Sequence, residues 1–225
     1  MQLARTSSSL RSWLALSSIV SLALTGCLGD ADKPGLGYSE ANPTGTPFVL
    51  PAGLELAAAP RGYAYLDDEH CPDFDEVEIH GSGGLVTLCL PLRNTTARPI
   101  ELVLPPGLIF VSESLDLQNG LLTERVTVSI PAGATTGIVV ASYCTNASRG
   151  TPDAEDEYAI GPITDDPDLR ELIAILDGLD LPGRVDEASE EQLAAINTLQ
   201  SAVWEITEMG ALTDATRAQV EAMVD

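Results

Sequence analysis

Two side chains in this sequence have the potential for chemistry, and they stand on different kinds of element: the thiol of Cys144 and the carboxamide of Gln200. Cys144 follows the β-branched run Val139-Val140-Ala141-Ser142-Tyr143 and precedes the turn-rich segment 147–153, so the thiol is expected where a strand emerges. Such a thiol is core packing, half of a disulfide or a reactive group. Gln200 falls among Leu193, Ile196, Leu199, Val203 and Ile206, which form a stripe at helical spacing. At about 100° per residue Gln200 and Thr207 project within that stripe and Trp204 lies at its edge. A carboxamide buried without a partner costs about 1–3 kcal/mol, so Gln200 needs either a hydrogen bond across a helix–sheet seam or a reaction. A hydrolytic cysteine would need a base, and His70 and His80 are the only histidines; nothing around them resembles a hydrolase motif. The acidic run from Asp67 to Glu76 offers oxygen, nitrogen and sulfur ligands, but its spacing fits neither a zinc site nor a calcium hand and reads as a solvated loop. No motif implies a cofactor.

The elements that must position these residues divide the chain by period. Short strands are expected at 48–50, 62–66, 77–79, 85–92, 100–104, 108–111, 122–130 and 137–143, separated by turn chemistry such as Pro105-Pro106-Gly107 and Gln118-Asn119-Gly120. In the run 122–130, Val126, Val128 and Ile130 alternate with Arg125, Thr127 and Ser129, the pattern of a half-buried antiparallel strand. Downstream, Asp166-Pro167-Asp168 opens a helix through Leu176, Ser189 and Gln192 make a capping box for a longer helix ending at Gly210, and Thr213 caps a last short one. The expected fold is mainly β with a helical C-terminal part: an immunoglobulin-like antiparallel β-sandwich over 48–146, followed by about three helices packed on it over 147–225.

The first 26 residues have a basic start (Arg5, Arg11), an apolar run from Trp13 to Leu24 and no acid, the pattern of an export signal. They end in Leu24-Thr25-Gly26-Cys27, which resembles the lipobox of bacterial lipoproteins. That resemblance implies cleavage before Cys27, lipidation of its thiol and N-terminus, and stable anchoring to a membrane. Leu28 in place of Asp implies the outer membrane or cell surface. Residues 27–47, rich in Gly, Pro and small polar residues, are expected to be a flexible tether. The chain carries a formal charge of −23; loss of Arg5 and Arg11 would leave nine basic residues against 34 acidic ones, or −25. This charge argues against nucleic acid as a partner. A monomer is expected. With Cys27 assigned to lipid, three cysteines remain; Cys71 with Cys89 is the favoured disulfide, Cys89 with Cys144 the rival.

Two short blocks resemble the bacterial surface thioester domains: Tyr143-Cys144-Thr145-Asn146 is similar to their aromatic-Cys-x-Asn block, and Gln200-Ser201-Ala202-Val203-Trp204 to their Gln-x-Ala-aliphatic-Trp block. Leu199 stands where that family usually has Thr, and Thr145 where it has a larger apolar residue. The resemblance implies that Cys144 supplies the thiol and Gln200 the acyl group of an internal thioester, with Tyr143 and Trp204 as apolar cover. It implies a non-enzymatic adhesin that bonds covalently to an amine on a surface protein or glycan. The alternative expectation is an envelope lipoprotein with a non-covalent binding or structural role.

Overall fold

The structure, a computed structural model, describes residues 33–63, 71 and 77–224. The leader, the lipobox with Cys27, and His70 with most of the acidic run lie outside the described residues. The described strands are β1 (Gly45–Pro47), β2 (Leu54–Leu56), β3 (Arg61–Gly62), β4 (Ile79–Gly81), β5 (Val86–Asn94), β6 (Ile100–Leu104), β7 (Leu108–Ser112), β8 (Gly120–Leu121), β9 (Val126–Ile130), β10 (Thr135–Cys144) and β11 (Tyr158–Thr164). The helices are α1 (Pro167–Ile175), α2 (Glu190–Trp204) and α3 (Asp214–Glu221). The mainly antiparallel β architecture with helices at its C-terminal end is therefore the one expected.

Nine strands form one sheet, ordered β1-β11-β7-β8-β10-β5-β2 with β3 on β5 and β4 on β10; β6 and β9 form a separate ribbon. The largest ladder is β10 against β5, antiparallel from Thr135↔Arg93 to Ser142↔Val86. Alternation along these strands sorts side chains between two cores. Val86, Leu88, Leu90 and Leu92 of β5, and Ile138, Val140 and Cys144 of β10, join Leu102, Leu104, Val126 and Ile130 of the ribbon in the first. On the opposite face Ile109, Leu121 and Tyr143 meet Leu169, Leu172, Ile196, Leu199, Val203 and Ile206 of the helices in the second. The predicted alternation in β9 holds: Val126 and Ile130 are buried while Thr127 and Ser129 are exposed.

Helix boundaries follow the local signals. The Asp166 side chain accepts from the backbone N–H groups of Asp168 and Leu169, with Pro167 in the first turn. Ser189 and Gln192 form the reciprocal capping box. After Trp204 the α2 helix widens into a π turn over Glu205–Met209, which Gly210 ends at φ +97°, the left-handed conformation that suits glycine.

Two expected boundaries are corrected. The β region does not stop at 146, because β11 pairs antiparallel with both β7 and β1. Gly161-Pro162 disguises this strand; they lie where its register shifts between Ile160 and Ile163, and a bulge tolerates both residues. Nor is the segment 27–47 a flexible tether throughout. From Lys33 it is part of the fold: Leu36 is buried in the helix-side core and Gly45–Pro47 is a sheet strand. Its glycines permit close approach rather than motion, since a Cβ on Gly37 would lie 2.2 Å from the Thr207 carbonyl oxygen. The expected strand at 48–50 lies outside any ladder, with Phe48 and Leu50 packed on the core and Val49 exposed.

Cys71 and Cys89 form a disulfide across 18 residues, leaving Cys144 free and buried. The Cys89–Cys144 rival is thereby excluded; the two side chains lie on opposite faces of the sheet, Cys89 in a small outer cluster with Tyr63, Val77 and Val139. Replacing both Cys71 and Cys89 by Ser is expected to cost about 3 kcal/mol, from the added freedom of the unfolded chain. Urea unfolding midpoints of parent and double variant measure it.

Candidate functional site

The site lies where β10 outruns its neighbour. β5 accompanies β10 only as far as the Ser142↔Val86 pair, while β8 holds the other edge through Tyr143↔Leu121 and Cys144↔Gly120. Two residues past Ser142, the backbone of Cys144 again points to the side that β5 has left. There the Gln200 side chain takes the place of the missing strand. Its Oε1 accepts from the Cys144 N–H at 3.0 Å, and its Nε2 donates to the Cys144 carbonyl at 2.8 Å. Gln200 is 7% exposed, and both ends of its amide are satisfied by one residue. The inward direction expected from helical phase is therefore observed, and the partner is the peptide of Cys144.

The thiol itself turns into the first core. The Trp204 indole N–H donates to Sγ at 3.3 Å, as does the backbone N–H of Asn146, also at 3.3 Å. Burial pushes the Cys144 pKa up to about 11, against these two donors, which lower it. The sulfur is thus a neutral thiol at pH 7, with hydrogen-bond donors aimed at it. The amide carbon of Gln200, bonded to both Oε1 and Nε2, is held beside the peptide from which this thiol projects.

Tyr143 takes a different place from the one its motif implies. As the neighbour of Cys144 in a strand it faces the opposite side of the sheet, packs with the helices, and donates its hydroxyl to Ser82 Oγ at 3.2 Å. Burial raises its pKa. Tyr143 therefore braces α2 against the sheet, and Trp204 alone of the two covers the sulfur.

Asn146 is fully buried and every polar atom of its side chain is engaged. Its Oδ1 accepts from Asn119 N–H at 3.0 Å and Thr145 Oγ1 at 2.9 Å, and its Nδ2 donates to the carbonyls of Gly37 at 2.8 Å and Gly35 at 3.3 Å. Asn119, which sequence reading took only for a turn residue, is its counterpart: Oδ1 accepts from Ser112 N–H and Nδ2 donates to Gly35 O, each at 2.9 Å. The one local signal for this role is an Asn beside a Gly in a turn, which is common to ordinary turns.

A cleft of about 830 Å³ opens on the helix side of the pair, lined by Gln200, Ser201, Asn197 and Trp204 from α2, and by Leu85 and Val185 opposite. His80 is separated from Cys144 along the sheet. It pairs in register with Val140, four residues before Cys144 and hence about 13 Å along the strand, and its ring is beside Glu78. It is not placed to act as a base for the thiol. Among the described residues no group of His, Cys, Asp and Glu is arranged to hold a metal ion, and no helix is long and apolar enough to cross a membrane. No protein-family model matches the chain, and no curated protein or solved structure matches it significantly.

As a free thiol, Cys144 makes stability fall at high pH. Its folded pKa of about 11 lies above the unfolded value near 9, so the folded state holds its proton more tightly and stability is fully present below pH 9. Between pH 9 and 11 a chain with this thiol is expected to lose about 2–3 kcal/mol relative to Cys144→Ala, which urea titrations of the two at matched pH measure.

Proposed function

We propose that the protein is a lipid-anchored envelope protein displayed on the cell surface, and that it attaches covalently to an amine of its partner through an internal thioester between Cys144 and Gln200. The observation that carries this reading is the docking of the Gln200 carboxamide on the peptide of Cys144, the residue that carries the thiol.

The arrangement suits condensation. Sγ attacks the amide carbon of Gln200, and the charge that develops on Oε1 falls on the Cys144 N–H already bonded to it at 3.0 Å. The C–N bond breaks, the thiol proton goes with the nitrogen, and ammonia departs. Trp204 and Asn146 donate to the sulfur as its proton leaves. Exchanging an amide for a thioester is uphill, but holding the groups together gives a high effective concentration, and escape of ammonia into solvent draws the step forward. An incoming amine reverses the logic: it attacks the acyl carbon, the C–S bond breaks, the thiol regains a proton, and a stable amide joins Gln200 to the partner. The cleft beside Gln200 and Trp204 gives the amine and the ammonia a common route.

The charge of −23 favours cationic partners over nucleic acid, in keeping with an amine nucleophile. The lipobox resemblance supports anchoring through Cys27. A second reading, a non-covalent envelope lipoprotein in which Gln200 is only a clip completing the β10 ladder, is favoured by the full satisfaction of its amide.

Intact mass decides between the two. The purified exported protein is expected to be lighter by one ammonia than its cleaved, lipidated chain with one disulfide requires, with the deficit absent from Cys144→Ala and filled by methylamine. A full mass in the parent, with Cys144 alkylated on denaturation alone, establishes the clip. The closed bond also removes the titrating thiol, so the closed protein is expected to show none of the extra instability between pH 9 and 11. Replacing Trp204 with Ala uncovers the sulfur and is expected to speed hydrolysis of the bond by about tenfold or more, followed as appearance of a free thiol over time.

A further inference from the structure

We infer that residues 33–39 form a positioning strap for the Cys144–Gln200 pair, joining the strand that carries the thiol to the helix that carries the acyl group. This inference rests on the thioester reading above.

The strap touches both partners' supports. On the strand side, Gly37 N–H donates to the Thr145 carbonyl at 2.8 Å, and the carbonyls of Gly35 and Gly37 accept from the buried amides of Asn119 and Asn146. The same Asn146 donates its backbone N–H to the Cys144 sulfur. Arg149, just beyond, donates to the Ser39 carbonyl at 2.7 Å. On the helix side, Gly37 lies so close to the π turn after Trp204 that a Cβ would meet the Thr207 carbonyl oxygen, and the neighbouring Glu208 carboxylate raises the pKa of the exposed Tyr38 hydroxyl. Glu208 in turn accepts from Ala147 N–H at 2.9 Å, closing a ring of contacts around the end of β10. Upstream, Lys33 is clamped between Asp166 and Asp168, each at 2.8 Å, which fixes where the strap enters.

The physical consequence is geometric. β10 and α2 meet at the reactive pair through the two hydrogen bonds of Gln200 and the Trp204 bond to the sulfur, and condensation consumes one of these by removing Nε2. Before and after the bond closes, the strap and its asparagines hold Thr145 and Asn146 against the π turn. A displacement of about 1 Å at reacting groups can cost a hundredfold in rate, so a strap that fixes this gap controls how readily the bond forms and opens.

The test uses the full chain and compares Gly37→Ala with Gly133→Ala. Both glycines have positive φ, +57° and +66°, so both substitutions strain the backbone, but a Cβ at Gly133 meets nothing within 4 Å. Gly37→Ala is expected to change the rate of methylamine opening and the fraction lacking one ammonia by about tenfold or more, with Gly133→Ala at parental values. Lys33→Met releases the strap without intruding on it, and is expected to move the same two readouts in the same direction, with Lys33→Arg restoring them. If Gly37→Ala unfolds, the lysine pair decides alone. Parental rates in every strap variant that folds, whatever its melting temperature, overturn the inference. A parent with no ammonia deficit removes the thioester reading and this inference with it.

Discussion

The amide of Gln200 clasping the peptide of Cys144 is the contact on which the arrangement of this protein turns. A strand that runs past its neighbour exposes an N–H and a carbonyl, and inside a protein those groups must be paired. The usual partner is another strand. Here a helix supplies one side chain that mimics a peptide, with a donor and an acceptor at the right separation. That choice seats α2 across the end of the sheet, and it also brings a carboxamide carbon beside the peptide of a residue that carries a thiol. The structural need and the chemical opportunity arise from the same two hydrogen bonds.

Everything packed around that contact serves to keep the helix in register with the strand. Tyr143, facing the helices, fills the space between sheet and α2 and anchors its hydroxyl on Ser82. Trp204, four residues and about one turn after Gln200, lies over the sulfur. The helix then widens into a π turn, a local change of pitch that is frequent at functional sites, and Gly210 stops it. Thr216 and Thr213 of the following turn donate to Glu205, fastening that irregular segment to α3. The buried asparagines 119 and 146 do the corresponding work on the strand side, and the 33–39 strap bridges the two.

The environment also defines what the thiol can be. A sulfur buried among leucines, with a pKa raised to about 11 and no described histidine in reach, is poorly suited to the thiolate chemistry of cysteine hydrolases. It is suited to reacting with a group held against it, where proximity replaces a low pKa. Cys71 and Cys89 are paired with each other in the outer cluster, on the face of the sheet opposite this thiol.

Much of this was legible in the linear sequence because it depends on local chemistry. Capping residues, the helical stripe that turns Gln200 inward, the alternation in β9 and the helix stop at Gly210 each follow from neighbours within a few positions, and all are present. Of the four cysteines, the pairing of Cys71 with Cys89 was the favoured expectation, and it is present. Tertiary structure alone decided the rest. Nothing local says that Gly161-Pro162 belongs to a sheet strand, that Tyr143 packs on the helices and bonds to Ser82, or that a Gly- and Pro-rich segment after Lys33 is wedged into the fold. Those facts depend on surfaces contributed by residues distant in the chain, more than a hundred positions away where Gly35 and Gly37 accept from Asn146. Local sequence sets which groups need partners; only the closed chain decides which partners they meet.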